Sequence, residues 1–139
     1  MARIFTYRGK TTDQLKALSM DELAKVMPSR IRRVLNRGLD EPRRKLLLKV
    51  RKTLATDKGK VIKTQSRDMP ILPEMVGAKI GVHRGGKDKT NLNAFVTFEI
   101  TSEMVGHYLG EFVMTRKQIK HSAAGIGATR GSKFTTTRK

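Results

Sequence analysis

Net charge is the feature that most constrains what this chain of 139 residues can be. Thirty Lys and Arg against twelve Asp and Glu leave a formal charge of +18. A small domain needs a net charge of only about 2–8 to stay soluble. An excess this large costs self-repulsion unless a polyanion neutralises it. Nucleic acid is therefore the leading partner, and an anionic membrane a distant second.

The charge is unevenly placed. Residues 1–60 hold 17 basic and 6 acidic side chains, residues 61–112 hold 6 of each, and residues 113–139 hold 7 basic and no acidic ones. A balanced centre thus lies between a basic N-terminal half and a purely basic tail. The N-terminal half reads as helical. Thr12 and Ser19 are N-cap candidates, and Ser19-Met20-Asp21-Glu22 has the form of a capping box. Pro28 can open a helix and Gly38 can close it in the left-handed conformation. Between them Ile31, Val34 and Leu35 form an apolar stripe, with Arg30, Arg33 and Arg37 on the other side. A third segment, EPRRKLLLKVRKTLA, sets Leu47, Val50 and Leu54 on one face and fills most of the rest with bases, including Arg43 and Arg44. Like charges at i, i+4 repel, so this helix should be better ordered against phosphates than free.

The centre reads as three strands. VIKTQSR (61–67) and AKIGVHR (78–84) alternate, while AFVTFEI (94–100) is apolar on both faces and is expected to be the best-buried strand. GGKDKTNLN joins the last two as a hairpin loop. The expected fold class is α+β: basic N-terminal helices, a small three-stranded sheet with short one-turn helices, and an extended basic C-terminal tail. The organisation is a single domain, with a basic helical region at 1–60, a central α+β core at 61–121 and a flexible basic tail at 122–139. With 37% hydrophobic and 5% aromatic residues, the core should be modest and aliphatic. The absence of cysteine excludes disulfides and thiolate metal sites. No stretch has signal-peptide or membrane-spanning length, so a soluble, intracellular protein is expected.

TSEMVGHYLGEF (101–112) spaces Glu103, His107 and Glu111 four residues apart, as a helical metal site or acid–base cluster would. Gly106 and Gly110 interrupt such a helix, each costing about 1 kcal/mol against alanine. A one-turn helix over Glu103-Met104-Val105, capped by Thr101 or Ser102 and stopped by Gly106, accounts for the stretch better. PEMVG (73–77) repeats SEMVG (102–106) without a histidine, so the shared part concerns backbone geometry. GIGATRG (125–131) misses the dinucleotide-binding spacing and context, and HRGGKDKT (83–90) lacks the end of a phosphate-binding P-loop. No catalytic residue, metal or cofactor is expected. Aromatics are too few for a base-stacking platform, which favours phosphate and shape recognition of a folded RNA.

SRDMPILPEMVGAKIGVHRG and AFVTFEITSEMVGHYLGEFVMTR together resemble the small-subunit ribosomal protein family numbered nineteen in bacteria and fifteen in eukaryotes. YRGKTTDQLKALSMDELAKVMPSRIRRVLNRGL and KHSAAGIGATRGSKF resemble its archaeal–eukaryotic branch. The resemblance implies a structural constituent of the ribosome in the cytoplasm. It would bind the 3′ major domain of small-subunit rRNA in the subunit head, beside the protein numbered thirteen in bacteria. Its tail would reach towards the decoding region and the aminoacyl-site tRNA. By motif position, the rRNA-binding candidates are Arg67, His83, Arg84, His107 and Arg116, with Lys63 and Lys79 in the central strands. Lys117, Lys120, His121, Arg130 and Lys133 follow towards and within the tail, and Arg30, Arg33, Arg37, Arg43 and Arg44 form a secondary basic surface. The resemblance also implies that Gly77 and Gly106 bring backbone close to RNA or to the sheet. The alternatives are a free-standing chromatin protein or RNA chaperone and, more remotely, a metal-dependent nuclease using Glu103, His107 and Glu111.

Overall fold

The computed structural model of the chain describes residues 5–56, 59–86 and 94–116. Two short strands absent from the sequence reading come first: β1 (Thr6–Tyr7) and β2 (Lys10–Thr11), paired antiparallel. Arg8 and Gly9 between them have φ of 49° and 79°, the positive values that a type I′ hairpin turn demands. Thr11 then caps α1 (Thr12–Ala17) in a full capping box with Gln14. The cap lies one residue before the expected Thr12, because only Thr11 has a glutamine at the third position to answer it. Ser19 and Glu22 form the expected box at the start of α2 (Met20–Val26).

Arg32, from α3 (Ser29–Arg37), closes the far end of α2. It donates to the carbonyls of Ala24, Lys25 and Met27 at 3.0, 3.0 and 3.3 Å, filling positions that a helix C-terminus leaves open. Gly38 ends α3 with φ 85° and ψ 155°, a positive-φ but extended turn and not the left-handed helical cap expected. In α4 (Glu41–Thr56), Leu46, Leu47 and Val50 are buried, and Leu54 packs against the same core.

β3 (Ile62–Thr64), β4 (Lys79–His83) and β5 (Phe95–Glu99) form a sheet in that order. β3 pairs parallel to β4, and β5 antiparallel to it. This corrects one expectation: the best-buried strand is β4, where Ile80, Gly81 and Val82 are all buried, whereas no residue of β5 is. β4 has a neighbour on each side and β5 is an edge strand, and position in the sheet outweighs apolar content. In register, Ile62, Ile80 and Phe98 share one face with Val82 and Val96, and these pack in the core. That core is a single cluster running from Leu15, Met27, Ile31 and Val50 through Ile71, Met75 and Ile80 to Leu109 and Val113. Burying each such side chain stabilises the fold by about 1.5–3 kcal/mol.

The two EMVG copies form one device used twice. Each is a short 3-10 turn, over Pro73–Met75 and Ser102–Met104, followed by a glycine at φ 90°. Thr101 stands at the cap of the second turn but makes no side-chain cap bond. The turns are joined crosswise. Ile71 donates to the His107 carbonyl at 2.8 Å and accepts from the Gly106 N–H at 3.3 Å. The equivalent Ile100 donates to the Ala78 carbonyl at 3.0 Å and accepts from the Gly77 N–H at 2.9 Å. Each copy thereby satisfies the backbone of the other, so the turns can lie against the core without orphaned amides.

Candidate nucleic-acid interface

The sheet face opposite the core gathers three candidates. Strand alternation puts Lys63 beside Gly81 and Thr97, Lys79 opposite Glu99, and His83 opposite Phe95. Gly81 leaves this face low, flanked by the stem of Lys63 and the hydroxyl of Thr97. Phe95 anchors one end: the Lys63 ammonium lies 5.7 Å from its ring centroid, and the His83 ring meets it edge-on at 5.1 Å. His83 Nδ1 accepts from the Gly85 N–H at 3.2 Å, so in its neutral form the ring carries its proton on Nε2 as a donor. Lys63 and Lys79 are exposed, and His83 and Arg84 half-buried. The Arg84 N–H extends the hairpin ladder to the Ala94 carbonyl at 2.9 Å. Arg116 is exposed beyond Val113.

Arg67 is placed differently. Its guanidinium donates to the carbonyls of His83, Gly110 and Val113 at 2.8, 2.9 and 2.5 Å, while its own carbonyl accepts from the Gly110 N–H at 2.8 Å. A side chain at Gly110 would meet that carbonyl at 3.0 Å. The fork therefore ties the end of β4 to the turn Leu109–Phe112. The sequence singles out Arg67 as a base but carries no sign of these carbonyls, up to 46 residues away.

The secondary basic surface divides in the same way. Arg33, Arg37 and Arg44 are exposed. Arg30 covers the Tyr108 ring at 4.9 Å from its centroid, a cation–π contact. Arg43 is bound to Asp68 and lies 3.6 Å from Asp40, with only 16% of its side chain exposed. The Asp68 hydrogen bond raises the Arg43 pKa above its ordinary value, outweighing the opposing effect of burial. Arg51, read from the sequence only as one of the bases of this helix, forms a two-pronged pair with Glu74 at 2.6 and 3.0 Å, which raises its pKa likewise. Helix α4 is thus held by acids of the central segment, and the reading of it as a self-repelling basic helix is incomplete.

His107 and Glu111 do meet, with Nδ1 donating to Oε2 at 2.7 Å. They do so through two successive 3-10 turns, with side chains 55% and 40% exposed, where an ion pair is worth little. Glu103 lines the same shallow cleft. Among the described residues no three His, Cys, Asp or Glu side chains are grouped to hold a metal ion. Gly106 is covered by Tyr7, whose hydroxyl lies 2.7 Å from where a Cβ would stand, whereas no described residue apart from its chain neighbours comes within 4 Å of the same position at Gly77. The expectations for Lys117, Lys120, His121, Arg130, Lys133 and the tail fall outside the described residues.

What is assembled is a small basic α+β protein whose open sheet face carries Lys63, Lys79 and His83, while Asp40, Glu41, Asp68 and Glu74 are engaged by bases of α4. The chain belongs to the ribosomal protein S19 family, whose model matches residues 33–121. It is 46% identical over 133 residues to the small ribosomal subunit protein uS19 of Thermoplasma volcanium, across 96% of this chain and 80% of that protein. An archaeal relative of this similarity fits the archaeal–eukaryotic branch indicated by the sequence. A ribosomal protein of this family is a structural component and not an enzyme.

Proposed function

We propose that the chain is a structural constituent of the small ribosomal subunit, held to its rRNA mainly by phosphate contacts. Identity of 46% along nearly the whole chain to a protein of that name carries the reading. The open sheet face with Lys63, Lys79 and His83, and the exposed Arg33 and Arg37 of α3, support phosphate recognition over base stacking, since Phe95 is the one aromatic that this face offers among the described residues. Family resemblance supports a place in the subunit head on the 3′ major domain, beside the protein numbered thirteen in bacteria. It also supports a tail directed towards the decoding region and the aminoacyl-site tRNA. The compartment is the cytoplasm, with the ribosome.

Sedimentation of a cell lysate tests this. The chain is expected to travel almost wholly with small subunits and whole ribosomes at moderate salt. A mainly free or DNA-bound pool would overturn the proposal in favour of a chromatin protein or RNA chaperone.

A further inference from the structure

Resting on that reading, we infer that the cleft between the C-terminal half of α4 and β3 is a second phosphate-binding track, taking a continuous run of RNA backbone. The cleft measures about 460 Å³ and is lined by Lys49, Lys52, Thr53, Thr56, Lys60 and Lys63. Val61 and Ile62 complete its wall, and no acidic side chain lines it among the described residues.

Three observations carry this. First, the paired bases of α4 all lie outside the cleft, as does the exposed Arg44. Lys45 is paired with Glu41, Arg43 with Asp68 and Asp40, and Arg51 with Glu74. Lys49, Lys52, Lys60 and Lys63, which face the cleft, have no ion pair with any described residue. Second, positions 49, 52, 53 and 56 fall at i, i+3, i+4 and i+7, so they form one stripe along the helix. Like charges in such a stripe repel until an anion separates them. Third, Lys63 belongs to both surfaces: it lines the cleft and, by register, stands on the open sheet face. The track is continuous with the interface already described.

Lysines rather than arginines suit this occupant. An ammonium is a compact point charge that binds phosphate without demanding a planar, two-pronged partner. Contacts of that kind hold a backbone in register and read no bases. An acidic protein segment is the competing occupant, and the test separates the two.

The full-length chain is titrated with transcribed small-subunit rRNA over a series of salt concentrations. Wild type is compared with K49Q/K52Q/K60Q and with a charge-matched control, K10Q/K16Q/K25Q. Lys63 is left in place so that the result reports on the cleft and not on the sheet face. The three substituted cleft lysines are exposed, and thermal melting verifies that both variants fold. If each cleft lysine neutralises one phosphate, the slope of log affinity against log salt becomes shallower by roughly 2–3 in the cleft variant. The control changes it by less than one. An unchanged slope in the cleft variant, or equal changes in both variants, removes the track and leaves the proposed function standing. So does a variant that binds rRNA normally but fails to join the subunit's proteins, since that assigns the cleft to a protein partner. A wild-type chain with no salt-dependent rRNA binding removes both proposals.

Discussion

Arginine does two kinds of work in this molecule, and Arg67 shows the difference. Three carbonyls, one at the end of β4 and two from the turn at Leu109–Phe112 and its cap, converge on its guanidinium. Only a planar fork with five donors can serve them together. Leaving a buried carbonyl unsatisfied costs about 1–3 kcal/mol, and these are partly buried, so Arg67→Ala should destabilise the fold by about 3 kcal/mol. Arg67→Lys is the sharper test. It should lose most of that stability in urea unfolding yet keep the wild-type salt slope for rRNA binding, because the charge remains. Full stability in the lysine variant, with Arg67→Ala making the slope shallower by about one, would restore Arg67 as a phosphate ligand. The amino-acid sequence identifies the residue but cannot assign its role, since the role depends on which carbonyls the fold brings near. Arg32 and Arg43 are hidden for the same reason. By contrast, the dismissal of a helical Glu103–His107–Glu111 site is legible from Gly106 and Gly110 alone, because glycine acts on backbone within a few residues.

At the scale of elements, what is local in sequence was readable and what is distant was not. The Ser19–Glu22 box lies within four residues and forms as expected; the Thr11–Gln14 box carries the same signal, one residue from the cap assigned. The hairpin of β1 and β2 escaped because strands of two residues have no periodicity to detect, although Arg8-Gly9 is a usable turn signal. The rank of β4 over β5 depends on strand order, which no single strand contains. The α2 capping box also makes a prediction. Glu22 accepts from the Ser19 N–H at 3.1 Å and its hydroxyl at 3.0 Å. The bond from the Ser19 backbone, first, and from its hydroxyl, second, lowers the Glu22 pKa below its ordinary value of 4.5. A depressed carboxyl pKa stabilises the fold above the unfolded value, and the benefit is lost as pH falls through the folded value. Glu22→Gln keeps an acceptor but does not titrate. Urea midpoints of wild type and variant should therefore differ above pH 4.5 and converge as the pH drops below it. A difference that stays constant through that range would show that the Glu22 charge contributes nothing to the cap.

For the whole molecule, the formal charge of +18 sets the class of partner, but the arrangement of that charge sets how the partner is held. Arg32 ties α3 to α2, Arg43 and Arg51 tie the N-terminal helices to acids of the central segment, and Arg67 ties that segment together. Lys49, Lys52, Lys60, Lys63 and Lys79 make no ion pair with any described residue, and on the proposed reading they hold the rRNA, on a cleft and a sheet face that meet at Lys63. One fold thus uses its bases first to build itself and then to bind. The most direct measurement of that division is a residue-resolved protein–RNA crosslinking map on assembled small subunits. The account predicts rRNA adducts at Lys63, Lys79 and the cleft lysines, and none at Arg67. Adducts confined to other surfaces, with the open sheet face bare of rRNA, would contradict it.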